Sequence, residues 1–254
     1  MKRLNSESTR GGRSRPYSST ALCRALRAGL REKADPELAP GMQAYMKSEM
    51  PYLGLRAPPL KAVCRQVFAA HPITTRKRWI DTVFAVWRGA EHREERYAAI
   101  NLADYGTYDD FQTLEALPCY EEMIVDGAWW DYIDAVAPRL VGGLLMRYPE
   151  EMRGVMLEWA HSPDIWKRRS SIICQLKFKD ATDFDLIQAC IEPSIDHREF
   201  FLRKAIAWAL REYAKTEPDA VIAYIRENAD RLSPFSKKQA VRLLIRTGRI
   251  DAVP

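Results

Sequence analysis

Residues 198–230, REFFLRKAIAWALREYAKTEPDAVIAYIRENAD, read as two helices joined by one turn. In the first, Ile206, Leu210 and Tyr213 recur at helical spacing, while Lys204, Trp208, Arg211 and Glu212 fall on a second stripe. The break comes at TEPDA, where a proline suits the first turn of a new helix. Val221, Ile222 and Ile225 then resume the apolar period. Neither half alternates with the two-residue period of a strand. The unit is therefore a helical hairpin, with one tryptophan sharing a stripe with charges.

The same pattern extends outward in both directions. Leu22, Leu26 and Leu30 stand four apart with charges between them, and helical periods recur through PPLKAVCRQVFAAH, TRKRWIDTVFAVWRGA, DIWKRRSSIICQLKFK and SPFSKKQAVRLLIRTGR. SPDIW, TEPDA and SPF place Pro, Asp or Ser where helix caps belong. The expectation is an all-α chain of a dozen medium helices. Such helices can form a bundle or a stack of hairpins; pairs recurring every ~35–45 residues match the spacing of HEAT-type repeats. No interior linker divides the chain, so residues 20–250 are expected to form one domain.

Hydrophobic residues make up 47% of the 254, ample for a core. Cys23, Cys64, Cys119, Cys174 and Cys190 are an odd set without CxxC spacing, which argues against a disulfide framework and suits a reducing, cytoplasmic interior. The four histidines form neither HxxxH nor HExxH, so neither a His-built metal site nor a cofactor is expected. No run approaches the roughly 18 apolar residues of a membrane span. Residues 1–19 read as a flexible basic arm rather than a secretory signal. Lys2, Arg3, Arg10, Arg13 and Arg15 against Glu7 give +4, so +1 of the total +5 is left to the rest. Global charge alone does not mark a nucleic-acid binder.

Distribution is more telling. Cations gather in the second half: Lys167, Arg168, Arg169, Lys177 and Lys179; then Arg203, Lys204 and Arg211; then Lys237, Lys238 and Arg242. Lined up on successive hairpins they would form a trough for a phosphate backbone; any one run alone reads more readily as a solvated face, and three together bring the two readings near even. In WWDYIDAVAP, residues 129–138, Trp130 and Asp134 share a stripe at i, i+4. Trp129 joins the core row of Ile133, Val136 and Leu140, and Asp131 suits a helix start. For Asp134, an exposed helix acid or a salt bridge with Arg169 is as good a reading as a functional one. Pro138 should kink the helix.

WWDYIDAVAP, IWKRRSSIICQLKFK, EFFLRKAIAWALREYAKTEPD and MQAYMKSEMPYLGLRAP together resemble the DNA alkylation repair family, over about residues 20 to 250. The resemblance implies an α-α superhelix of HEAT-like repeats whose concave basic face holds duplex DNA. It implies a glycosylase, without cofactor and acting as a monomer, that excises alkylated purines such as 3-methyladenine and 7-methylguanine. The family's catalytic aspartate falls on Asp134, its tryptophans on Trp130 and Trp208, and its arginine on Arg169. The base would stay largely in the duplex. A relative that binds duplex or branched DNA without catalysis is one alternative, and a protein-binding repeat scaffold with an apolar groove is another.

Overall fold

A computed structural model of the chain describes residues 21–254. The expected arm over 1–19 lies outside the described residues. In chain order the helices are α1 (Ala21–Glu32), α2 (Ala39–Met46), α3 (Ala57–Ala70), α4 (Arg76–Arg88), α5 (Arg93–Ala103), α6 (Leu117–Val125), α7 (Trp130–Val136), α8 (Gly142–Arg147), α9 (Pro149–Ala160), α10 (Ile165–Ile173), α11 (Phe184–Ile191), α12 (Phe200–Tyr213), α13 (Pro218–Glu227), α14 (Pro234–Ala240) and α15 (Arg242–Arg246). No strand occurs among the described residues.

Leu22, Leu26 and Leu30 bury one stripe of α1, as their spacing requires. Each such leucine contributes about 1.5–3 kcal/mol of burial. The expected caps form at two of the three turns. Asp164 accepts the N–H groups of Trp166 (2.7 Å) and Lys167 (3.1 Å) at the start of α10, and Ser233 accepts that of Ser236 (3.0 Å) at α14. At TEPDA no side chain caps α13; Pro218 in its first turn removes one donor that would need a partner.

The helices stack in two layers. In the front layer α3 packs on α5, α5 on α7, α7 on α10, α10 on α12 and α12 on α14; behind it α4, α6, α9, α11 and α13 each pack on a front helix. Front helices α3, α5, α7, α10, α12 and α14 begin at residues 57, 93, 130, 165, 200 and 234, intervals of 36, 37, 35, 35 and 34. So regular a period makes the chain a helical solenoid rather than a bundle. A continuous apolar core runs between the layers from Leu22 to Leu244.

Two departures from simple helix geometry position the middle of the stack. Residues Ala137–Val141 form a π-helical turn between α7 and α8. Pro138 has no N–H to give the carbonyl of Asp134, and the wider turn absorbs the defect where a kink was expected. Just beyond, a Cβ on Gly142 would lie 2.3 Å from the Cys174 carbonyl oxygen, so glycine permits α8 to meet the end of α10. The second departure is the MPYLGLRAP segment before α3. Buried Glu94 of α5 accepts the N–H groups of Leu53 (2.9 Å), Gly54 (2.9 Å) and Leu55 (3.0 Å). Gly54 holds φ +87°, and a Cβ there would sit 2.0 Å from the Asp35 carbonyl oxygen. That motif is built for packing.

Candidate active site

Ala128, with φ +41°, turns the chain into α7. Trp129 is the extended residue before the helix, not a member of its core row, because its φ/ψ of −150°/144° takes it off the helical spiral. Its half-buried ring packs on Trp166 of α10 (centroids 6.2 Å) and Phe201 of α12 (5.6 Å), which also meet each other at 5.0 Å. Three successive front helices are thus tied by aromatics beside the site. Trp130, the first residue of α7, is half-buried, and the Lys204 ammonium lies 5.6 Å from its ring centre. Lys204 also lies 6.0 Å from the ring of Phe200, which is 47% exposed.

One turn on from Trp130, Asp134 meets Arg169 of α10. The arginine side chain is 0% exposed and the aspartate 17%. Nε (3.0 Å) and Nη2 (2.6 Å) of Arg169 both donate to Oδ1 of Asp134, while Nη1 donates to the Phe201 carbonyl (2.6 Å). Both bonds land on one carboxylate oxygen. Oδ2 accepts no hydrogen bond from the described residues. Burial pushes the Asp134 carboxyl above its ordinary value; Arg169, and more weakly Lys204, pull it back toward the ionised form.

Asp131 makes an instructive contrast. Its Oδ1 accepts from Arg93 Nη2 (2.5 Å) and its Oδ2 from the Tyr97 hydroxyl (2.5 Å), both on α5. The Tyr52 hydroxyl adjoins that of Tyr97 at 2.9 Å, and Arg93 stacks over the Tyr132 ring at 4.2 Å. Burial, then the Asp131 charge, pushes the Tyr97 hydroxyl far up, so it remains a donor. Asp131 sits in the first turn of α7 as expected, yet both its oxygens are consumed. Arg93 and Tyr97 escaped the sequence reading. Their i, i+4 spacing looks like any exposed helix pair, and only the stacking of α5 on α7 brings them to Asp131.

Trp208 lies one turn beyond Lys204 on α12, half-buried, with no aromatic neighbour or hydrogen bond among the described residues. The expected phosphate-contacting cations divide into two groups. Lys177, Lys179, Lys204, Lys238 and Arg242 are exposed. Half-buried Arg211 has one long contact, to the Gln239 carbonyl at 3.5 Å, and lines a cavity of about 160 Å³ with Lys215, Arg242 and Arg246. Burial, then the charge of Arg242, lowers its pKa. The others are turned inward. Lys167 pairs with Glu121, Arg168 donates to Ser194 Oγ (3.0 Å) and the Pro193 carbonyl, and Lys237 donates to the Ala229 carbonyl (2.7 Å). Arg203 is half-buried, its Nε shut away without a partner. Successive helical residues point about 100° apart, so consecutive Lys167, Arg168 and Arg169 reach three different neighbours.

Among the described residues one group of three could hold a metal ion, Glu91, His92 and Glu95, at the turn into α5. A family model described as DNA alkylation repair enzyme matches residues 26–244. A solved structure described as a predicted DNA alkylation repair enzyme from Enterococcus faecalis superposes with a TM-score of 0.75 at 28% identity, over 83% of this chain and 96% of that one. No curated protein matches the chain.

Proposed function

Since this chain belongs to the DNA alkylation repair enzyme family, we propose that it is a DNA glycosylase, hydrolysing the N-glycosidic bond of cationic N3- or N7-alkyl purines in duplex DNA. Its place in alkylation repair, with DNA as substrate or partner, follows from the family. The observation that carries the finer reading is the unequal use of the Asp134 oxygens: Arg169 fixes Oδ1, and Oδ2 is left for a ligand.

Loss of the base builds positive charge on the deoxyribose. A carboxylate oxygen beside C1′ stabilises that charge, and Arg169 holds it in place before the reaction begins. The electron pair of the breaking bond leaves with the base, which departs neutral because alkylation had already made it cationic. No general acid is needed. Water oxygen bonds to C1′, and its surplus proton passes to Asp134 or solvent. Trp130 and Trp208 supply flat apolar faces for the sugar of the damaged nucleotide, and Lys204 a charge for its phosphate. The base then stays largely within the duplex.

Incubation with DNA carrying 7-methylguanine should release free base and leave abasic sites. Asp134→Asn should lower the rate at least ~10²-fold while retaining duplex affinity. Duplex binding by the wild type without base release would instead identify a non-catalytic DNA binder. Undiminished release by the variant would remove Asp134 from the mechanism.

A further inference from the structure

At the start of α5, three side chains converge within five residues. The Glu95 side chain is only 4% exposed; its Oε2 accepts from Arg27 Nε and from the Glu91 N–H, each at 3.2 Å. Among the described residues its buried Oε1 has no hydrogen-bond partner, and His92 Nδ1 is likewise buried and unbonded. These two atoms face each other at 3.7 Å, too far for a hydrogen bond but within ion-pair reach of a protonated imidazole. An acceptor shut away without a donor is costly to keep. The separation nearly suits something else: two ligands on one tetrahedral zinc ion lie about 3.4 Å apart.

We propose that Glu91, His92 and Glu95 bind one divalent transition-metal ion of the zinc class. Ligand atoms from all three lie within 4.8 Å of one another. Two carboxylates, each also paired with an arginine, and a neutral imidazole supply the ligand atoms, and exposed Glu91 gives the ion a path from solvent. The carboxylates are held from outside, as metal ligands usually are: Arg31 Nη2 bonds Glu91 Oε2 at 2.7 Å, Arg27 Nε bonds Glu95 Oε2, and Arg27 Nη1 lies 3.5 Å from Glu91 Oε1. The imidazole nitrogen favours zinc, cobalt or nickel over calcium and magnesium, which prefer oxygen alone. No histidine pair is involved, so a search for HxxxH spacing passes over it. The ion would steady the turn whose next two residues, Arg93 and Glu94, hold Asp131 and the 53–55 segment. This site stands independently of the glycosylase reading.

Calorimetric titration of the full chain with Zn²⁺, after chelator treatment, tests the assignment. One equivalent should bind and raise the melting temperature. His92→Ala and Glu95→Gln should each weaken binding at least about tenfold, with Mg²⁺ ineffective. Co²⁺ should give visible d–d bands without sulfur-to-metal charge transfer, which separates this site from adventitious binding at cysteines. That spectrum decides even if a variant fails to fold. Absence of saturable binding, affinity unchanged in both variants, or a sulfur-type spectrum would overturn it.

Discussion

Two aspartates one turn apart on α7 carry opposite assignments because of what reaches each oxygen. Asp131 is saturated by Arg93 and Tyr97, whereas Oδ2 of Asp134 takes no hydrogen bond from the described residues. The catalytic proposal needs Asp134 ionised, and burial raises its pKa, so the acid limb of activity should fall at a pH above the ordinary carboxylate value. Arg169 opposes that rise. Arg169→Met should therefore move the limb further up in pH and lower the rate at neutrality, and Arg169→Lys should move it less. A pH–rate profile of single-turnover excision checks both, and an unmoved limb would separate Asp134 from it. The direction also bears on stability. The folded state holds this proton more tightly than the unfolded chain, so the group's contribution is full below the unfolded pKa and is lost as pH rises through the folded one.

At the scale of elements, α7 is held from two sides: by α5 through Arg93 and Tyr97, and by α10 through Arg169. Breaking the first attachment strands a nearly buried guanidinium. Asp131→Leu should cost about 3–5 kcal/mol in urea unfolding. Excision per folded molecule should fall far less than in Asp134→Asn; equal losses would mean that Asp131 touches the substrate. This attachment was invisible in the sequence because it joins residues 38 apart, whereas the period that forms each helix is local. Trp129 packs against the core, but from a different position than its spacing implies. Its spacing to Ile133 fits a helix, but the left-handed turn at Ala128 delays the helix by one residue.

Across the whole molecule, the repeat was legible because each hairpin spends a similar number of residues crossing the two layers. The 34–37-residue period sharpens the looser spacing read from the sequence. The direction of each cation was not legible, since a run such as 167–169 fixes charge but not which neighbour lies in reach. The inward-turned residues make the distinction measurable. Lys204→Ala and Lys238→Ala should each weaken duplex binding and reduce the slope of log affinity against log salt by up to ~0.9. Lys167→Ala and Lys237→Ala should leave that slope unchanged and lower the melting temperature instead. Fluorescence anisotropy across a salt series tests the set, and a common slope for all four would refute the division.

One guanidinium, that of Arg169, grips a carboxylate on α7 and a backbone carbonyl on α12 at once. Any flexing of the coil that parts these helices must loosen one grip or the other. Were the carboxylate released, its proton affinity would climb, coupling the bend of the coil to the charge of the acid. On the proposed glycosylase reading, a DNA distortion that splays this stretch would then lower the reactivity of the site by releasing the Asp134 carboxylate from its guanidinium.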